Sequence, residues 1–260
     1  MNLRINTVLT AVCLLGGAWV QAAQTTPFNL SVVAPMTAIA NGDAKAQEFQ
    51  TSLLPAVLAA TNGVVTSDLT IAGYTVQQID PAQIAITTGI NSRAYLVGET
   101  TAKYHNSFGF NTTGLGVTSG TPMLAIQDAL SPTVTAGDYV DLGRFVAGTN
   151  LDFFLISNGG LKPNYQAPQD LNTVFSANAT ANLDGLEHVM AFAIKDSPYL
   201  LLSFEDLIGG GDRDYNDAVF VVDIGRANIA NFFAAPEPSL LLALGSFTAV
   251  MLSATGRRRR

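Results

Sequence analysis

The chain has 260 residues, 48% hydrophobic and only 13% charged, with a formal charge of −7 and one cysteine. Positive mean hydropathy with so few charges excludes a disordered, solvating chain, and a pI near 4.6 argues against a protein that reads nucleic-acid backbones. Both ends differ sharply from the middle and are set aside before the fold is read.

At the amino end Arg4 precedes a mostly apolar run from Val8 to Val20, and Gln21-Ala22-Ala23 offers the small residues of a signal-peptidase site. The run is 13 residues long, whereas a helix crossing a bilayer takes about 17 to 25. Residues 1–23 therefore read as a secretory signal peptide. Cys13 and Trp19 leave with it, so the exported body has no thiol for disulfides or nucleophilic catalysis.

Residues 24–87 form a helical and strand segment of the body. A short apolar stretch at Phe28 to Val33 comes first, then Asn41-Gly42-Asp43 opens a helical pattern through Ala44 to Ala60, which Pro55 kinks or splits. Beyond it, short runs rich in Val, Ile, Thr, Phe and Tyr alternate with Gly, Pro, Asn and Asp. The predicted strands are Leu69 to Val76, Ile84 to Thr88, Ala94 to Val97, Met123 to Ile126, Val140 to Val146, Asp152 to Ile156, His188 to Ile194, Tyr199 to Phe204 and Ala218 to Ile224. Such spacing without alternating helices predicts a mainly β fold, an antiparallel β-sandwich or jelly roll, with residues 88–226 as the extracellular β domain.

The stretch richest in chemistry runs from Phe204-Glu205-Asp206 through Gly209-Gly210-Gly211 to Asp212-Arg213-Asp214-Tyr215-Asn216-Asp217. Asp212, Asp214 and Asn216 place oxygens at alternate positions, and three glycines free the backbone to curl around a cation. Glu205, Asp206 and Asp217 add carboxylates to the same window, where a single arginine offsets them. Calcium, which takes six to eight oxygen ligands, is the expected metal. An EF-hand is excluded because Asp217 stands where that loop needs glycine, and a strand-like run follows where a helix should begin. The alternative is a solvated acidic turn whose Asp and Asn side chains cap backbone amides. Asn182, Asp184 and Glu187 around Gly185 read as a turn between strands. His105 and His188 are far apart and lack zinc-ligand spacing; His188 is expected to hydrogen-bond where a strand begins.

Residues 227–239 read as a linker ending in Pro236-Glu237-Pro238-Ser239. Leu240 to Gly256 follows as 17 uncharged residues, and Arg257, Arg258, Arg259 and Arg260 close the chain. A helix over 240–256 rises about 26 Å, enough for a thin bilayer, and four arginines resist translocation. A carboxyl-terminal transmembrane helix with a cytoplasmic arginine cluster is the direct reading. The order of these three parts resembles the PEP-CTERM sorting signal of Gram-negative bacteria. That resemblance implies an exosortase substrate with a transient inner-membrane anchor, delivered to the cell surface or to the exopolysaccharide matrix of a biofilm; a permanent anchor is the alternative. Without Arg4 and the four terminal arginines the basic count falls from 13 to 8 against 20 acidic residues, leaving the exported body near −12.

The acidic stretch is also similar to the closing motif of a family of bacterial extracellular domains of unknown function, F-E-D-x-x-G-G-G-D-x-D-Y-N-D before an apolar strand. The resemblance reaches back through Asp152 to Gly159 and Leu183 to Val189. An upstream segment, Leu96-Val97-Gly98-Glu99 with Lys103-Tyr104-His105-Asn106 and Ser107 to Phe110, resembles an element of related surface proteins. The resemblance implies a β-rich, surface-associated domain and carries Glu205, Asp206, Asp212, Asp214, Asn216 and Asp217 as its acidic residues.

Three functional classes follow. The first is a non-enzymatic, calcium-stabilised surface or matrix protein, with no nucleic-acid partner. The second is a carbohydrate-binding or adhesive module, for which Tyr104, Phe108, Phe110, Tyr165 and Tyr215 are the aromatic candidates. The third is a secreted hydrolase, disfavoured because Glu205 and Asp206 are adjacent on a strand and no G-x-S-x-G motif occurs.

Overall fold

A computed structural model describes residues 26–98, 104–117, 120–160 and 173–234. The signal segment 1–23, the sorting motif at Pro236, Glu237 and Pro238, the helix expected over 240–256 and Arg257 to Arg260 lie outside the described residues, as do Glu99 and Tyr165. Among the described residues no helix is long and apolar enough to cross a membrane.

The fold is mainly β, as expected, and contains two six-stranded sheets. The first has the order β1 (Ser31–Val32), β6 (Met123–Ile126), β5 (Ser107–Gly114), β8 (Thr149–Ile156) and β3 (Ile84–Ala85), with β9 (Val174–Ser176) also paired to β8. The second runs β2 (Val76–Ile79), β10 (Val189–Ile194), β11 (Tyr199–Phe204), β12 (Ala218–Asp223), β4 (Ile90–Gly98) and β7 (Tyr139–Phe145). All pairings are antiparallel except β1 with β6, which is parallel and so departs from the purely antiparallel expectation.

The sheets face each other across one apolar layer. Phe108 and Phe153 from the first sheet stack with centroids 5.7 Å apart, and Phe108 meets Phe220 of the second at 4.2 Å. Within β12, Ala218, Phe220 and Val222 point into this layer, while Val219 and Val221 point the other way, toward Phe49, Leu53 and Val57. Those three residues belong to the helical layer of α1 (Ala44–Ser52) and α2 (Leu54–Thr61). The second sheet is thus covered on both faces, which explains why β11 and β12 read as continuous apolar runs instead of alternating ones.

The helical pattern breaks where proline predicts. Asp43 caps α1 by accepting from the Ala46 amide at 2.9 Å, and Pro55 sits in the first turn of α2. Asp43 also takes the Arg93 guanidinium through both oxygens, and Arg93 lies 4.0 Å over the Tyr139 ring, which fastens the helix start to the second sheet.

Two strand expectations need correction. Residues 69–76 are not a strand: Ile71 and Tyr74 form a single bridge around Gly73, whose φ of +83° makes a tight turn, and pairing begins at Val76. Ile84 to Thr88 shrinks to a two-residue pairing with Asn150 and Leu151. The longest strand of the first sheet that the spacing misses is β5, whose Gly109, Asn111 and Gly114 weaken its β pattern. Residues 226–233 at the start of the linker form α3 (Arg226–Phe233), which sets Ile229 into the layer between the sheets.

Candidate metal centre

The acidic stretch is the connection between β11 and β12, neighbours that pair from Tyr199 with Asp223 to Phe204 with Ala218. The strands fix its two ends. Glu205 continues directly from β11, and its amide donates to the His188 carbonyl at 3.0 Å. The turn between these ends relies on left-handed backbone: Gly209, Gly210 and Gly211 have φ of +86°, +79° and +42°, and Arg213 and Tyr215 are also positive at 59° and 49°. Two non-glycine residues in that region mark backbone strain, held in place by surrounding bonds. The Tyr215 carbonyl accepts from Ser203 Oγ, the Tyr215 hydroxyl donates to the Glu187 carbonyl at 3.0 Å, and the Asp214 carbonyl accepts from Val65 N at 2.7 Å.

Of the six predicted site residues, the fold brings three together. Glu205, Asp212 and Asp214 each offer a carboxylate oxygen within 4.8 Å of the others. Glu205 is 1% exposed, Asp214 is half-buried and Asp212 is exposed. Both Glu205 carboxylate oxygens are buried without a hydrogen-bond partner. Burial, with the Asp217, Asp212 and Asp206 carboxylates nearby, pushes its pKa up to about 8. Asp217 is near enough to add to that shift although no well-formed hydrogen bond reaches Glu205. The pKa of Asp214 is also raised, first by burial and then by Asp212 and Asp217, despite the amide of Asn216 pulling it down.

The remaining three hold the loop. Asp217 Oδ2 accepts from the Asp206 amide at 3.1 Å, and Asp206 Oδ2 accepts from Asn106 Nδ2 at 2.7 Å. Asn216 Nδ2 donates to Asp214 Oδ2 at 2.8 Å and to the Gly63 carbonyl at 3.1 Å. The predicted alternation of Asp212, Asp214 and Asn216 is therefore only partly a convergence of oxygens, because the Asn216 amide nitrogen turns toward Asp214. Asn106, expected from the sequence to face this loop together with Glu99, reaches the acidic cluster from just before β5 across about 100 residues of sequence.

The support beneath Glu205 starts with His188, which hydrogen-bonds just before β10 as expected of a residue where a strand begins; its pairing with Asp184 is what sequence reasoning missed. His188 is fully buried and stacks on Phe175 with centroids 4.0 Å apart. Its Nδ1 faces the Glu205 carbonyl at 3.1 Å and its Nε2 faces Asp184 Oδ2 at 3.0 Å. Asp184 Oδ2 also accepts from the Gly209 amide at 2.7 Å, tying the glycine run to the preceding turn. Burial pushes the Asp184 pKa up, but the Gly209 and Leu186 amides and His188 outweigh it and hold the carboxyl at about 2. The segment around Gly185 is a turn, as read: Asp184 Oδ1 caps Leu186 N and Asn182 bonds Ser176 and Leu186.

The acidic loop, His188 and Asp184 lie in one contiguous sequence window. Residues 145–225 match the family described as a domain of unknown function, DUF4114. The DUF4114 stretch spans β8 to β12, so it holds every ligand candidate together with Asp184 and His188, while Asn106 and Gly63 come from outside it. No curated protein and no solved structure matches the chain. The β12 strand directly after the acidic stretch agrees with the exclusion of an EF-hand, in which a helix would start there.

Proposed function

We propose that this chain is an exported, non-enzymatic component of a bacterial cell surface or exopolysaccharide matrix, in which a calcium ion closes the β11–β12 loop. The observation that carries the reading is Glu205: a carboxylate with both oxygens buried and unpartnered, beside two further carboxylates. An uncompensated charge in that position is costly, and the group stays protonated or takes a cation. A hard divalent ion replaces the proton and draws Asp212 and Asp214 inward. An all-oxygen donor set on a glycine-rich loop suits calcium, which accepts flexible geometry and completes its shell with backbone carbonyls and water, better than magnesium, which demands a strict octahedron.

Export rests on the signal segment 1–23. Delivery rests on the order of Pro236-Glu237-Pro238, the apolar run 240–256 and the arginine cluster, which an exosortase would process at the inner membrane. The exported body's excess of carboxylates suits divalent cations and disfavours nucleic acid.

The test is thermal melting of the purified chain with saturating calcium and with chelator. An ion that binds only the folded loop stabilises by about 2.7 kcal/mol at one hundred times its dissociation constant. Identical melting curves would remove the cation and leave only the export reading.

A further inference from the structure

The chain contains three Asn-Gly pairs, Asn41-Gly42, Asn62-Gly63 and Asn158-Gly159. An asparagine side chain is attacked most readily by the backbone nitrogen that follows it when the next residue is glycine, because no Cβ hinders the approach. The fold closes that route at two of the pairs. Gly42 N donates to the Ile39 carbonyl at 2.9 Å, and Gly159 N to the Ile156 carbonyl at 3.1 Å. Asn158 is also only 2% exposed, and its Oδ1 accepts from the His105 amide at 3.2 Å.

Asn62-Gly63 is open. Asn62, Gly63 and Val64 are all exposed, and Asn62 is the residue that ends α2. Among the described residues nothing accepts a hydrogen bond from the Gly63 amide. A Cβ built on Gly63 would meet nothing within 4 Å, so the pair faces free space. Attack requires rotation away from the Asn62 ψ of 5°, which a residue past the last helical turn and before an exposed glycine permits.

This short link is tied to the acidic loop. Thr61 before it and Val65 after it are buried, and the Gly63 carbonyl accepts from Asn216 Nδ2 at 3.1 Å. Val65 N donates to the Asp214 carbonyl at 2.7 Å. A change in the length of residues 62–64 is therefore passed to Asp214 and Asn216.

We propose that Asn62 is a site of spontaneous deamidation whose conversion loosens the β11–β12 loop. Gly63 N bonds to Asn62 Cγ and the Cγ–Nδ2 bond breaks, releasing ammonia and leaving a cyclic succinimide. Water then opens the ring. Cleavage between Gly63 N and the Asn62 main-chain carbonyl carbon gives isoaspartate, with the backbone running through Cβ and Cγ and the α-carboxylate freed. Cleavage of the newly formed bond gives aspartate instead. Isoaspartate lengthens the link by one carbon, and either product adds a negative charge next to a loop already crowded with carboxylates. The reaction needs no cation, so failure of the calcium reading would leave it intact.

The test ages the full chain in detergent with chelator at pH 8, where loss of the amide proton speeds ring closure, and at pH 5. Peptide mass mapping with enzymatic methylation of isoaspartate locates the modification, and hydrogen exchange at the Val65 amide reads local opening of the loop contact. Support is modification of Asn62 at least tenfold faster than of Asn41 or Asn158 at pH 8, little at pH 5, and at least tenfold faster Val65 exchange once Asn62 has reacted. Gly63→Ala, which the free space accommodates, and Asn62→Gln, whose longer side chain closes a ring poorly, should both suppress the modification and keep Val65 protected. Equal rates at the three pairs, no modification at Asn62, variants that age like the parent, or Val65 exchange unchanged after Asn62 has reacted each overturns the proposal.

Discussion

Glu205 occupies the space that a side chain on Gly211 would need. A Cβ built on Gly211 would lie 1.9 Å from Glu205 Oε1, and its φ of +42° already disfavours any other residue. The glycine therefore does two things at once: it turns the loop and it leaves room for a buried carboxylate.

Gly211→Ala is expected to destabilise the fold by about 1–3 kcal/mol through clash and backbone strain. It should also reduce the stabilisation by calcium, since Glu205 must move. Melting curves with and without calcium separate the two effects; a variant that melts like the parent in both conditions would contradict this geometry.

Glu205→Gln keeps the shape and removes the charge. Without calcium at pH 8 the variant should be more stable than the parent, by on the order of 1–3 kcal/mol, because a buried unpaired charge is gone. Its response to calcium should disappear. Chemical denaturation at fixed pH reads both changes.

The raised pKa of Glu205 fixes the sign of a pH effect. Its folded-state value of about 8 lies above the ordinary 4.5, so the folded state holds the proton more tightly. The resulting stability is fully present below about pH 4.5 and is lost as pH rises to about 8. With calcium saturating the loop this loss should vanish, and calcium affinity should climb across the same window as the ion displaces a proton. Denaturation midpoints at pH 5, 6.5 and 8, with calcium and with chelator, provide the check.

Asp184 gives the opposite limb. Held at about 2 instead of 3.8, it contributes stability that is present above about pH 3.8 and lost as pH falls toward 2. Asp184→Ala frees the Gly209 amide and leaves His188 Nε2 without its carboxylate. Calcium affinity should fall about 10- to 100-fold, as when the outer support of a metal site is removed. Calcium titration of the variant measures it.

Phe108 is fully buried between the sheets and Phe110 nearly so, which removes both from any exposed sugar platform. Phe108→Ala should cost about 3–5 kcal/mol of stability, visible as a lower denaturation midpoint.

The β-rich class, the helix split at Pro55, the acidic loop and the strand after it were all legible in the sequence, because each depends on neighbours within a few residues. Period, capping and glycine placement are local signals. The roles inside the loop were less legible. Asp212, Asp214 and Asn216 look equivalent by spacing, yet Asn216 turns its amide to Asp214 and to Gly63, a partner more than 150 residues away. Glu205 looks like one carboxylate among five until its burial against His188 and Gly211 is known.

By itself the sequence determined the composition of the loop, its glycines and its charge, since those are properties of consecutive residues. Only the tertiary structure decided which carboxylate is dry, which side chains brace it and which Asn-Gly pair lies open. Burial depends on what distant segments bring to the same point: His188 reaches Glu205, and Gly63 meets Asn216, through contacts that no local pattern encodes.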